Sequence, residues 1–135
     1  MSWSNKYLNI PYKAGTTDCW GLVCNVYKNE LNIILNNYSI TDDNLSDKLD
    51  SISIAYSNEL TNWQKIDNNK YKPFDVLMFN LAGRPLHCGI VINERYMLHS
   101  ESAKVGSCIE DYTLDKWQSR IIGVYRYNDK LNIKA

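Results

Sequence analysis

The rhythm of hydrophobic and polar positions changes near the middle of the chain. In the first half, Trp20, Val23, Tyr27 and Leu31 recur at intervals of three and four, the spacing that lines one face of a helix. Thr17 or Asp18 stands where an N-cap belongs, so a helix is expected over residues 18–31. A second helix is expected where Leu45, Leu49, Ile52, Tyr56 and Leu60 repeat. It is led in by Thr41, Asp42 and Asp43, whose charges suit the positive end of a helix dipole. From Phe74 the pattern becomes a series of short β-branched and aromatic runs: "FDVLMF", "LHCGIVI", "RYMLHS", "VGSCIE" and "IIGVYRY". Gly, Pro, Asn or charged residues separate them, which predicts a meandering antiparallel sheet. No repeat or low-complexity linker divides the halves, so residues 1–135 are read as a single α+β domain around one core. The closing "DKLNIKA" is expected to fray.

Composition narrows the classes of partner. Lys plus Arg and Asp plus Glu each total 15, so no basic excess attracts a phosphate backbone, and no nucleic-acid partner is expected. No apolar run approaches the roughly 20 residues of a membrane helix, and no membrane partner is expected. The opening "MSWSNKYLNIPYK" is too polar for a secretory signal. In a chain of 135 residues that can bury a sizeable core without staples, the four cysteines are expected to be free thiols.

One cysteine stands apart from the rest. Cys19 falls at the predicted helix start, directly after Asp18, where the positive end of the dipole favours a thiolate. The chain has only two histidines, His87 and His99, both in adjacent predicted strands. If the turn between those strands centres on Asn93, His87 faces His99 as a cross-strand pair with Cβ atoms about 5 Å apart. With the helix start packed on that face, Cys19 has its base in His87, and His99 steadies the His87 ring. A peptide N–H at the helix start can donate to a developing oxyanion, and Gly21 lets another backbone or a substrate come close. Cys24, Cys88 and Cys108 read as small buried hydrophobes, with Cys88 pointing into the core on the face opposite His87.

Together these segments resemble the NlpC/P60 cysteine peptidases. "PYKAGTTDCWGLV" is similar to the family's "PY-x-x-G … DC-x-GLV" segment, and "GRPLHCGIVI" followed by "YMLHS" to its two histidine strands. Trp20 after the cysteine, "GRP" before His87 and the closing "W-x-x-RIIGVYR" resemble the phage-tail branch. The resemblance runs from about Tyr12 to Arg126, with residues 32–70 uninformative. It implies a papain-like fold with the catalytic helix packed on a central antiparallel sheet. It also implies a thiol endopeptidase that cuts cell-wall stem peptides, typically after γ-D-glutamate. Nucleophile, base and third polar residue then fall on Cys19, His87 and His99, a tyrosine contacting the nucleophile on Tyr12, and a substrate-amine contact on Asp18. No cofactor and no metal ligand are implied. The expected setting is a virion tail, with peptidoglycan stem peptides as substrate and tail-tip proteins as partners.

The sequence departs from the family at two places. Phe74 replaces a common glycine before the "DVLMF" strand, and a single glycine, Gly15, remains in "KAGTT" where two are common. Three other readings remain open at this stage. Cys19, His87 and His99 could together ligate zinc, although no C-x-x-C or H-x-x-x-H pair supports it. The fold could serve tail-tip assembly alone. An amine rather than water could accept the acyl group, which would make the chain a transferase.

Overall fold

A computed structural model describes residues 3–13, 17–35, 63–67, 70–81, 84–100 and 105–127. The second predicted helix and the "DKLNIKA" tail lie outside the described residues. A 3-10 turn at Ser4–Tyr7 precedes helix α1, Cys19–Val26, which runs on as a π-helical turn over Tyr27–Leu31. Of the two candidate caps Asp18 takes the place: its Oδ1 accepts from the Gly21 N–H at 2.8 Å, satisfying one of the donors a helix start leaves open. Thr17 instead donates its hydroxyl to the Pro11 carbonyl at 2.6 Å. The π turn closes on Asn32 in the left-handed region, with φ of 57°.

Six strands follow: β1 (Trp63–Lys65), β2 (Val76–Leu81), β3 (Arg84–Val91), β4 (Tyr96–Ser100), β5 (Ser107–Asp111) and β6 (Ile121–Tyr127). A one-turn helix α2, Asp115–Gln118, sits between β5 and β6. The five predicted runs all become strands, and their pairing is antiparallel. Strand order β1-β6-β2-β3-β4-β5 departs from a simple meander, because after β5 the chain returns to lay β6 beside β2. β1, in the segment whose sequence was uninformative, completes the far edge by pairing with β6.

The sheet is buried on both faces. On one, Leu22, Val23, Val26 and Tyr27 pack on Val76, Met78, Cys88, Ile90 and Leu98. On the other, Leu77, Phe79, Val91, Met97 and Val124 gather around Tyr112 and Trp117. Each fully buried aliphatic or aromatic side chain here is worth about 1.5–3 kcal/mol over its exposed state. The alternation along β2 and β3 is therefore a two-sided pattern, which is why those runs are almost uninterruptedly apolar.

The segment before α1 is laced to β5. Asn9 N–H donates to the Ser107 carbonyl at 2.9 Å and Ser107 N–H to the Ile10 carbonyl at 3.0 Å. Gly106, at φ of 75°, permits this approach, since a Cβ there would lie 2.7 Å from the Ile10 oxygen. Phe74 also occupies the left-handed region, at φ of 75°. Glycine is the ordinary occupant of such a position, and a bulky residue there is strained. The Phe74 ring stacks on Trp3 at 4.7 Å and meets Tyr27 edge-on, while its carbonyl accepts from the Tyr27 hydroxyl at 2.5 Å. Aromatic packing thus holds the conformation that glycine would adopt without it.

Candidate active site

The two histidines meet, but through a different register from the one expected. Gly89, and not His87, stands opposite His99, which centres the β3–β4 turn on Glu94. Asn93 builds that turn, its Oδ1 accepting from the N–H groups of Arg95 at 2.9 Å and Tyr96 at 2.8 Å. A shift of two residues leaves His87 on the same face as His99, one diagonal step along. The position between them is glycine: a Cβ on residue 89 would lie 2.8 Å from Met97 Sδ, forcing that side chain to shift, and 3.4 Å from His99 Cβ. With that space open, His87 Nε2 and His99 Nδ1 lie 2.8 Å apart.

A box of aromatic rings fixes both imidazoles. Trp117 lies 6.0 Å from His87 in a stacked arrangement and 5.1 Å from His99 edge-on, and Phe79 flanks His87 at 5.5 Å. On its far side His99 Nε2 meets Glu110 Oε2 at 2.7 Å. The other oxygen of Glu110 accepts from Trp117 Nε1 at 3.4 Å and lies 3.9 Å from Lys116 Nζ. Burial alone would raise the Glu110 carboxyl, but its hydrogen bond to His99 and the nearby positive charges hold it below the usual range. A carboxylate on Nε2 selects the tautomer: His99 donates from Nε2, keeps its Nδ1 lone pair for the His87 Nε2–H, and leaves His87 Nδ1 as the free nitrogen.

The helix does not pack on the histidine face. α1 covers the face that carries Cys88, whereas His87 and His99 belong to the opposite face with Phe79 and Trp117. Cys19 nevertheless hydrogen-bonds to residues of both faces, to the Cys88 thiol and to His87. Among the described residues the ladder between β3 and β4 ends at Gly89 and His99, before the stretch of β3 at 87–88. The Cys88 backbone N–H also donates to the Cys19 sulfur. The Cys88 thiol, His87 and that N–H bring the Cys19 pKa well below the ordinary thiol value despite burial, which opposes them. Cys88 is shifted the opposite way, well up, by its hydrogen bond to Cys19 and by burial.

Cys88 therefore does more than the sequence suggested. It is 3% exposed and packs in the core opposite His87, as expected, yet its thiol is also a donor to Cys19. Tyr12 is in reach of the same site: burial, and then the negative charges of Cys19 and Asp18, push its phenol up to about 12. Asp18 is placed as the helix cap, with one oxygen on Gly21. Glu110 and Cys88 were missed as site residues, while Trp117 stood only as a letter in the closing motif. Among the described residues the donor set close enough to share a metal is His99, Cys108 and Glu110. It is a different set from Cys19, His87 and His99.

Comparison with known proteins bears on the fold and the family. The fold is similar to that of an NlpC/P60 family protein from Bacillus cereus, with a TM-score of 0.68 and 20% identity, covering 92% of this chain and 37% of that one. It is similar to the NlpC/P60 domain of the peptidoglycan hydrolase SagA, with a TM-score of 0.61 and 16% identity over 93% of both chains. The peptidoglycan hydrolase RipB from Mycobacterium tuberculosis superposes with a TM-score of 0.63 at 10% identity, covering 94% of this chain and 61% of that one. The chain thus spans well under two thirds of the Bacillus cereus protein. No curated protein matches it by sequence. The NlpC/P60 family itself matches residues 9–126, and the chain belongs to that family.

Proposed function

We propose that the chain is a cysteine endopeptidase that cuts the stem peptides of bacterial peptidoglycan. The observation that carries this reading is the chain of contacts from the Cys19 sulfur to His87 and on, at 2.8 Å, to His99. Cys19 is the nucleophile, attacking the scissile carbonyl as a thiolate. The proton it gives up is held on His87 Nδ1, which passes it to the departing amine. His99 orients His87 and accepts from its Nε2–H, and Glu110 fixes the His99 tautomer and balances the imidazolium that forms. The Cys19 peptide N–H at the start of α1 and the Tyr12 hydroxyl are the donors for the oxyanion. Tyr12, with its pKa near 12, stays protonated through the working range and so serves as a donor and never as a base. Asp18 offers a carboxylate beside the nucleophile for the free amine of a stem peptide. Water completes the cycle by hydrolysing the acyl-enzyme.

The bond we assign is that between D-glutamate and the diamino acid, and the setting is a phage or prophage tail. Support for the setting comes from Trp20 after the nucleophile, "GRP" before His87 and the "W-x-x-RIIGVYR" ending that includes Trp117. In that setting the enzyme is made in the host cytoplasm and acts on the wall as part of the virion, held by tail-tip proteins. The test is mass spectrometry of purified muropeptides after incubation with the protein. New termini at D-glutamate and at the diamino acid are expected. Intact muropeptides from a folded protein would overturn the reading.

A further inference from the structure

We infer that His99, Cys108 and Glu110 form an inhibitory zinc site whose occupation disables the base. His99 and Cys108 are directly opposed on β4 and β5, and Glu110 is the next residue along the same face of β5. Their ligand atoms lie together: Cys108 Sγ is 3.7 Å from His99 Nε2 and 3.9 Å from Glu110 Oε2, and Nε2 is 2.7 Å from Oε2. Tetrahedral zinc, with bonds of about 2.0–2.1 Å to N and O and about 2.3 Å to S, spaces its ligand atoms roughly 3.3–3.6 Å apart. Both sulfur distances nearly fit this spacing. The carboxylate must open from the imidazole by about half an ångström, a small rotation for a side chain one-third exposed. An imidazole, a thiolate and a carboxylate are a donor set zinc favours, with the fourth position left to water. The Glu110 side chain is one-third exposed, so the metal can reach the cluster from that side while His99 stays buried.

The consequence for catalysis follows from which nitrogen the metal takes, and it rests on the peptidase reading just given. Zinc on Nε2 displaces the proton that Glu110 accepts, and the neutral ring then carries its proton on Nδ1, directed at His87. His87 must then accept at Nε2, so it is left neutral with its single proton on Nδ1, on the Cys19 side, and has none to spare for the departing amine. Two protons leave to solvent: one from the Cys108 thiol as its sulfur binds the metal, and one from the pair of imidazoles, whose three ring protons become two. The site thus couples a metal on β5 to the nucleophile through both imidazoles.

Binding is read apart from activity by titrating the folded Cys19→Ala protein with Co²⁺, which removes the nucleophile as a competing thiolate. A sulfur-to-cobalt charge-transfer band saturating at one metal per chain is expected. It should vanish in Cys19→Ala combined with Cys108→Ala and survive in Cys19→Ala combined with Cys24→Ala. A band that persists without Cys108 would overturn the site, whether or not the chain degrades peptidoglycan. Inhibition is read separately on the unmodified enzyme and on the Cys108→Ala and Cys108→Ser variants, each checked for folding by circular dichroism. Zn²⁺ should inhibit the parent reversibly, with activity restored by a chelator, and both variants should need at least about tenfold more metal for the same loss. Equal sensitivity of parent and variants would refute the inhibitory role.

Discussion

The two faces of the sheet act on the proposed catalytic pair by different physics. On the face covered by α1, Cys19 sits among a buried thiol, a backbone N–H and an apolar core, and its anion persists because those donors outweigh burial. On the other face, His87 belongs to a hydrogen-bonded line that ends on a carboxylate one-third exposed to water. One side lowers the thiol and the other orients the proposed base, and residues 87–88 of β3 are where they touch. Because adjacent residues of a strand point to opposite faces, a single His-Cys dipeptide serves both sides.

The sharpest way to break this comparison is to delete one partner on each side. Cys19→Ala should abolish wall-degrading activity while thermal stability moves by only about 1 kcal/mol or less, because little volume is lost at a helix start. His87→Ala should cost on the order of 10² to 10⁴ in rate, the range expected for loss of a positioned base. Turnover on purified peptidoglycan and a thermal melt measure both. A Cys19→Ala protein with unmodified turnover would remove the thiol mechanism, and one that unfolds would mean the sulfur is structural.

Glu110→Gln probes the line on the second face at its outer end. An amide can still accept from His99 but carries no charge to balance the imidazolium, so kcat should fall by about 10- to 100-fold. KM should stay near the parent value, because the change lies behind His99, on the side away from Cys19. Glu110→Asp should recover part of the loss. A change in KM alone would show that Glu110 works on the substrate and not through His99.

How far the sequence revealed this arrangement differs between the two sides. Asp18, Cys19 and the helix are local features: the start and face of α1 follow from spacing, and the cap was narrowed to Thr17 or Asp18, of which the structure uses Asp18. The strands too were legible from their runs, and the histidines were correctly put on one face although their register was off by two. That error was harmless because period-two alternation survives an even shift, and Gly89 opened the space that the diagonal contact needs. What remained hidden was whatever depends on pairing between distant segments. Glu110 reaches His99 only because β5 lies beside β4, and β6 returns to β2 across the whole sheet. Cys88 was legible as core, but its second role depends on where the β3–β4 ladder ends.

Cys88→Ala sharpens the comparison from the first face. Removing the thiol donor, the first cause of the lowered Cys19 pKa, should raise that pKa toward the ordinary thiol value of 9.0. The thiolate is the form that reacts, so the midpoint of iodoacetamide alkylation at Cys19 should move to higher pH, and the acid limb of activity with it. Stability carries the matching sign. A depressed pKa stabilises the fold at pH above the unfolded thiol value, and that contribution is lost as pH falls through the folded value. Cys88→Ala removes that contribution together with the opposing one of Cys88, whose raised pKa costs stability as pH rises, so alkylation and not stability is the readout. An unshifted alkylation profile would show that His87 and the backbone N–H suffice.

The smallest effect is expected away from both histidines, at the turn that leads into β2. Phe74 holds φ of 75° by stacking on Trp3 and against Tyr27, so strain and packing oppose each other at one residue. Phe74→Ala keeps the left-handed strain and loses the rings, whereas Phe74→Gly loses the rings and the strain together. Both should be less stable than the parent, but the glycine variant should exceed the alanine variant by about 1 kcal/mol in chemical denaturation. Alkylation of Cys19 should be unchanged in both, since the turn braces the sheet on the helix side without touching the sulfur. If alanine proved as stable as glycine, the backbone at 74 would have to relax out of the left-handed region once the ring is gone. Tyr27 would then be expected to lose its hydroxyl contact with the Phe74 carbonyl, a change its fluorescence would report.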